Sequence, residues 1–110
     1  MTLQLFGKLM KPLSVYLSPA VLKEIDQLPG HVRQRIRHAI LELRANPFPP
    51  AGKRLATSLG NNRECWRIRI ERWRVLYVID SMNEQILVVA VRRRPPYQYE
   101  DLDTLLSDLG

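Results

Sequence analysis

Arginine is the residue type in this chain whose number and spacing most clearly point to chemistry. Of the 17 basic residues 13 are arginines, and the planar guanidinium group suits paired contacts to phosphate oxygens. Several of these arginines alternate with apolar residues, and tyrosines follow the last run. The candidates fall into three groups along the second half of the chain: Arg67 and Arg69, then Arg74, then Arg92, Arg93 and Arg94 with Tyr97 and Tyr99.

Hydrophobic spacing predicts the elements that must position these residues. Ser18-Pro19 marks the start of a first helix of about ten residues, which Pro29-Gly30 ends. A second amphipathic helix is predicted over 31–45, and the proline-rich segment 46–53 is predicted to be a loop. The other predicted elements are strands over 13–17, 65–70, 74–79 and 86–91 and a short third helix that begins at Glu100.

The order of these elements predicts an α+β fold in a single domain over 1–110. An N-terminal strand and a helical hairpin come first, and an antiparallel β-meander and a short C-terminal helix follow. Residues 1–12 would be an N-terminal extension, and 100–110 an acidic C-terminal helix. Helices would cover one face of the sheet, so the meander is expected to gather the arginines on the other face.

Charge is unevenly distributed along the chain. The net charge is +6 and the pI is about 10.0. Residues 1–99 carry +10, whereas the last eleven residues carry −4. This balance favours a polyanionic partner, above all nucleic acid. The acidic end is interpreted as a solvated helix, with shielding of the basic surface by Coulomb attraction as the alternative.

Other kinds of site find little support in the sequence. The single cysteine, Cys65, has no partner for an internal disulfide and is interpreted as a buried thiol. His31 and His38 are two helical turns apart, so they are not expected to share a metal ion. No phosphate-binding loop, dinucleotide fingerprint or zinc motif occurs, and no metal or cofactor is expected. The N-terminus contains no signal peptide or membrane span, so a cytoplasmic protein without a membrane partner is expected.

A surface of arginines has two uses, and composition does not separate them. In plain binding, guanidinium groups neutralise phosphates while aromatic rings stack on bases. In cleavage, they stabilise the charge on a pentacoordinate phosphorus while a polar group moves protons. RNA lends itself to metal-free cleavage because its ribose 2′-OH is an internal nucleophile. Tyr77 and Trp66 are predicted to lie in the core rather than to contact a ligand.

Over 14–100 the chain resembles the RelE/ParE superfamily of toxins from bacterial type II toxin–antitoxin systems. The segment VYLSPAVLKEIDQLPGHVRQRI (15–36) is similar to the family's opening strand and helical hairpin. NPFPPAGKRL (46–55) is similar to its helix-ending proline and basic loop, and WRIRIERWRVLYVID (66–80) to its central pattern of alternating strand, turn and β-run. The number of arginines and the tyrosine after them favour the RelE branch.

The resemblance implies a metal-free endoribonuclease that cuts messenger RNA in the ribosomal A site. The 2′-OH attacks the adjacent phosphate and leaves a 2′,3′-cyclic phosphate and a 5′-OH. The implied partners are the ribosome, messenger RNA and a cognate antitoxin, whose contacts are expected at 100–109. Two alternatives stay open: an inhibitor of DNA gyrase, as in the ParE branch, and a non-catalytic RNA-binding module.

By the same resemblance, the catalytic roles fall on basic residues and a tyrosine. A basic pair would orient the 2′-OH, an arginine opening the next strand would stabilise charge at the phosphate, and a later arginine would lie near the leaving 5′-oxygen. In this order the residues are Arg67 and Arg69, then Arg74, then Arg93 with Arg94 as its alternative, and finally Tyr97 with Tyr99 as its alternative. The residues expected to bind RNA are Lys53, Arg54, Arg63, Arg72, Arg92, Arg94 and Tyr99.

The chain departs from the family's pattern at three places. Glu71-Arg72 forms the turn where many members have a glycine first, Arg92 stands where some members have a histidine, and Pro95-Pro96 stiffens the link to the tyrosine. No histidine or glutamate is therefore expected near the site. Proton transfer would depend on Tyr97 and on arginines, which are poor bases because they stay protonated.

Overall fold

The computed structural model describes residues 13–56, 59 and 62–93. Within them, two helices and five strands confirm the predicted α+β class. The predicted N-terminal extension and third helix lie outside the described residues, as do Arg94, Tyr97 and Tyr99. The elements are β1 (Ser14–Leu17), α1 (Pro19–Asp26), α2 (Gly30–Glu42), β2 (Gly52–Leu55), β3 (Arg63–Ile70), β4 (Trp73–Asp80) and β5 (Gln85–Arg93).

The five strands form one sheet in the order β1-β5-β4-β3-β2. Strands β3, β4 and β5 form the predicted antiparallel meander, and β1 pairs parallel with β5. The prediction of a loop over 46–53 is wrong for its last two residues, because Gly52 and Lys53 begin β2. This strand pairs antiparallel with β3. This edge strand is four residues long and has no alternating apolar pattern of its own. The strand forms because it pairs with β3. The prolines and the glycine of this segment locally favour a loop, so the sequence pattern does not reveal the strand.

The helical hairpin begins and ends at residues with clear local roles. Ser18 is the N-cap of α1, and its hydroxyl accepts a hydrogen bond from the N–H of Val21 at 3.2 Å. Pro19 stands in the first turn, where a missing N–H costs no hydrogen bond. Helix α1 ends at Asp26 and α2 at Glu42 rather than at 45, because the chain continues there as hydrogen-bonded turns.

Both helices pack on one face of the sheet. Ile25 of α1 and Ile36 of α2 are buried against strand residues that include Val75 and Tyr77, and removing this apolar surface from water is the main source of stability. The opposite face, which we expect to be lined with arginines, is instead divided between an apolar part and a basic part. The apolar part is a second buried cluster of Cys65, Leu76, Val78 and Ala90.

Tyr77 joins the core of the sheet to the loop that precedes β2. Its side chain is fully buried, as predicted, and its hydroxyl donates a hydrogen bond to the carbonyl of Pro47 at 2.8 Å. Replacing Tyr77 with Phe keeps the ring but leaves this carbonyl without its donor. We expect the free energy of unfolding to fall by about 1–2 kcal/mol, measured by urea denaturation. An unchanged unfolding midpoint would show that the hydrogen bond contributes nothing net.

Cys65 and Tyr77 make the free energy of unfolding depend on pH in the alkaline range. Burial raises the pKa of the Cys65 thiol from its ordinary 9.0 to about 11, and burial followed by the charge of Cys65 raises the pKa of Tyr77 well above its ordinary value. Because the pKa of Cys65 is higher in the folded chain, its contribution is complete below pH 9.0 and is lost as the pH rises toward about 11. Urea denaturation should show this fall between those pH values. It should be smaller in Cys65→Ala, and an equal fall in that variant would contradict the assignment to Cys65.

Candidate nucleic-acid interface

The strand register places three arginines side by side. Arg69 of β3 lies opposite Arg74 of β4, and Arg74 lies opposite Arg92 of β5. Directly paired residues of neighbouring strands project to the same face of a sheet, which here is the face away from the helices. We call Arg69, Arg74 and Arg92 the arginine row. On the same face, Arg67 of β3 lies opposite Lys53 of β2, so four strands contribute basic residues to one end of the sheet.

A β-bulge decides which arginine of β5 joins the row. The register between β4 and β5 shifts so that Val89 has no partner, and such an extra residue reverses the alternation of the side chains that follow. Arg92 therefore lies on the face of Arg74. Arg93 pairs with Trp73, which packs against the core on the helix side. The structure thus brings Arg92, rather than the predicted Arg93, beside Arg74.

Arg74 is the buried member of the row, with 3% of its surface exposed. Its Nη1 donates hydrogen bonds to the carbonyls of Glu71 at 3.3 Å and Trp73 at 3.0 Å. Both acceptors belong to the backbone at the β3–β4 turn, so the position of the guanidinium group follows from the position of the turn. A charge held in place and away from water interacts more strongly with an approaching anion than an exposed one does.

Helix α2 holds the β3–β4 turn in place. Glu71 has a φ of 53°, in the left-handed region that glycine favours. Its carboxylate accepts a hydrogen bond from Nη1 of Arg35 at 2.6 Å and lies 3.8 Å from Nε2 of His31. These contacts connect α2 with the turn whose carbonyls hold Arg74.

The basic residues differ in whether an acid neutralises them. On the helix side, Nη2 of Arg37 lies 2.9 Å from the carboxylate of Asp26, and Arg35 is paired with Glu71. On the other side, the described residues place no acid within ion-pair distance of the basic groups at the end of the sheet, and this positive charge is available to an anion. These groups are the exposed Lys53, Arg69 and Arg72 and the half-buried Arg67.

Two other predicted RNA-binding residues lie apart from the row. Arg54 is on the helix side of β2, where its Nε lies 3.7 Å from the carboxylate of Glu64. Arg63 opens β3, and at about 3.3 Å per residue it lies roughly 20 Å along the strand from Arg69. Arg72 is exposed in the β3–β4 turn, so it extends the basic end of the sheet whereas Arg54 and Arg63 do not.

One carboxylate lies at the row, although the sequence predicts no glutamate there. Glu24 of α1 places Oε2 at 3.5 Å from Nη1 of Arg92, whereas the carboxylate of Glu71 contacts Arg35 and His31 of α2. The prediction is wrong because α1 packs beside the far end of β5, a contact between distant parts of the chain. The amphipathic pattern of α1 carries no signal for this contact, since Glu24 looks like any charged residue on a helix surface.

The chemistry of this surface is that of fixed and exposed guanidinium groups. Among the described residues, no cluster of three or more His, Cys, Asp or Glu side chains is arranged to hold a metal ion. The two described helices are too short or too polar for a membrane crossing. What the arrangement offers is a site for a phosphate group or for the charge that develops on one.

A family model described as the ParE toxin of the type II toxin–antitoxin system, parDE, matches residues 15–95. The match runs from β1 to just beyond β5 and includes the whole arginine row. The chain belongs to this toxin family. The predicted membership of the RelE/ParE superfamily is thereby confirmed. No curated protein matches the chain significantly.

Solved structures with the same fold come from archaea and bacteria. The archaeal RelE–RelB complex from Pyrococcus horikoshii OT3 is 19% identical with a TM-score of 0.69, covering 78% of this toxin and 99% of that chain. The RelBE2 toxin–antitoxin complex from Mycobacterium tuberculosis is 21% identical with a TM-score of 0.62, covering 76% and 99%. A free double arginine-to-alanine mutant of the Escherichia coli toxin RelE is 16% identical with a TM-score of 0.65, covering 89% and 97%. At these identities the likeness establishes the RelE fold.

Proposed function

We propose that this toxin is a ribosome-dependent endoribonuclease that cuts messenger RNA in the A site without a metal ion. The arginine row carries the proposal, because it pairs Arg74, whose guanidinium is buried and held by the backbone, with the exposed Arg69 on the neighbouring strand. RNA holds its own nucleophile, the 2′-OH, next to the phosphorus. The protein therefore has to supply mainly orientation and charge stabilisation, and the row is suited to both.

Each basic residue has a distinct role in this proposal. Arg67 and Arg69 hold the RNA backbone and orient the 2′-OH, while Arg74 stabilises charge on the pentacoordinate phosphorus. Arg92 replaces Arg93 as the arginine near the leaving 5′-oxygen, because the bulge places it beside Arg74. The 2′-oxygen bonds to phosphorus as the bond to the 5′-oxygen breaks. The 2′-OH proton must be removed and the 5′-oxygen protonated, and Tyr97 is the proposed group for this proton transfer.

The direct test uses purified toxin and ribosomes programmed with a defined messenger RNA. We expect one cut within the A-site codon, with a 2′,3′-cyclic phosphate on one product and a 5′-OH on the other. A message with a 2′-O-methyl group at the nucleotide before the cut should stay intact, because its nucleophile is blocked. Intact message together with gyrase-dependent DNA breaks would assign the toxin to the ParE activity instead. RNA binding with neither effect would leave only a binding module.

We also propose that a cognate antitoxin covers part of the helical hairpin. Leu22 of α1 and Leu41 of α2 are 50% and 60% exposed, and they border a groove of about 250 Å³ with an almost entirely apolar lining. Exposed apolar surface of this kind suits an amphipathic partner segment. Leu22→Glu combined with Leu41→Glu should weaken co-purification with the protein encoded beside the toxin. Unchanged affinity in this double variant would contradict the proposal, and deletion of 100–109 separately tests the contact expected there.

A further inference from the structure

We infer that Glu24 of α1 is a positioning residue, which holds Arg92 at the rim of the arginine row. The inference rests on the proposed nuclease function. It starts from one carboxylate that makes two contacts at the same place. Its Oε1 accepts a hydrogen bond from the backbone N–H of Val91 at 3.4 Å, and its Oε2 lies 3.5 Å from Nη1 of Arg92.

The place is an edge of the sheet that no described strand covers. Strand β1 pairs only with Gln85–Val88 of β5, so β5 continues past its neighbour toward Arg93. Backbone groups on such an edge need another partner. The carboxylate of Glu24 provides one for the N–H of Val91, and this fixes the carboxylate relative to the strand that carries Arg92.

The fixed carboxylate in turn restricts the guanidinium group of Arg92. The two side chains are 31% and 32% exposed, so water only partly screens their attraction. Arg74, in the middle of the row, is held by the carbonyls of the β3–β4 turn. Glu24 supplies the corresponding constraint for Arg92 at the β5 end of the row, whereas Arg69 at the β3 end stays exposed.

Glu24 has two opposing effects, which make its role measurable. Its negative charge lowers the positive potential of the basic surface and so weakens the attraction for RNA. Its hold on Arg92 keeps that guanidinium group in place for the transition state, where small displacements are costly. A residue with a merely structural role would change binding and cleavage in the same direction, because a partly unfolded toxin does neither.

The test replaces Glu24 with Gln, whose amide oxygen still accepts the N–H of Val91 while the charge is lost. We expect binding to a short 2′-O-methyl RNA, measured by fluorescence anisotropy, to be as tight as in the wild type or tighter. Single-turnover cleavage of ribosome-bound message at saturating toxin should fall roughly tenfold. Asp26→Asn is the matched control, since it removes the same charge from the same helix but from the exposed pair with Arg37. It should leave the cleavage rate unchanged.

Two results would overturn the inference. One is a wild-type cleavage rate in Glu24→Gln, and the other is a parallel loss of binding, cleavage and thermal stability. A further measurement does not depend on activity, because ¹⁵N NMR should show slower rotation of the Arg92 guanidinium in the wild type than in Glu24→Gln. If the wild-type toxin cuts no message, the proposed function fails, and this spectrum alone decides the positioning. Equal mobility in both proteins would overturn it.

Discussion

Replacing Arg74 with Met is expected to slow cleavage of ribosome-bound messenger RNA severely, and to relieve growth arrest with it, in a toxin that still folds. Arg74 is 3% exposed and hydrogen-bonded to two carbonyls at the β3–β4 turn, so its guanidinium group is preorganised before RNA arrives. Removing one preorganised group that stabilises developing negative charge lowers a rate by about 10²–10³-fold. Methionine fills the space of the buried stem with an apolar chain. Single-turnover cleavage measures the rate, and circular dichroism with thermal unfolding verifies the fold.

Two further variants make this prediction specific to Arg74. Arg74→Lys keeps the positive charge but loses the forked geometry, so we expect a rate between those of the wild type and Arg74→Met. Arg37→Met removes a guanidinium group from the helix side, where it is paired with Asp26, and should keep the wild-type rate. A folded Arg74→Met toxin that cleaves normally would show that the arginine row is not the site of the chemistry.

The helical hairpin and the three long strands could be predicted because local sequence determines each of them. Ser18 and Pro19 start α1, Pro29 separates the helices, and the alternation from Trp66 to Ile70 reflects a strand with one face on the core. The antiparallel order of β3, β4 and β5 follows from their short connections. β2 was harder to predict because nothing in Gly52–Leu55 specifies a strand except its pairing with β3.

In the candidate site too, local sequence predicts some positions and leaves undetermined those that depend on pairing or packing with other segments. Arg69 and Arg74 flank a turn, and the hairpin alone predicts that they lie opposite each other. The choice between Arg92 and Arg93 depends on the unpaired Val89, and no residue type in the run from Ile86 to Val91 marks a bulge. Glu24 reaches Arg92 only because α1 packs beside β5. Contacts between distant segments thus determine the part of the site that the sequence predicts least well.

Replacing Arg67 and Arg69 together with Gln is expected to weaken RNA binding strongly and to make it less sensitive to salt. Neither side chain has an ion-paired acid among the described residues, so each is available to a phosphate. A hydrogen bond to a charged group contributes about 1.5–3 kcal/mol, which predicts a loss of at least roughly tenfold in affinity for each arginine. Each phosphate contact on a single strand adds about 0.7 to the slope of log affinity against log salt, so the slope should become shallower by about 1.4. Fluorescence anisotropy with a 2′-O-methyl RNA over a salt series measures both quantities.

The matched control for this prediction replaces Arg33 and Arg37 of α2 with Gln. It removes the same two charges from the toxin, but Arg37 is paired with Asp26, and Arg33 donates to the backbone carbonyl of Asp26 at 3.3 Å. If net charge alone attracted RNA, both double variants would lose the same amount of affinity, and the slope of log affinity against log salt would become equally shallow in both. If the end of the sheet forms the interface, the control should keep its slope, because exposed charges more than a Debye length of about 10 Å from the RNA are largely screened. A larger loss of RNA affinity in the α2 variant than in the Arg67 and Arg69 variant would place the RNA on the helices. It would contradict the arginine row as the binding surface.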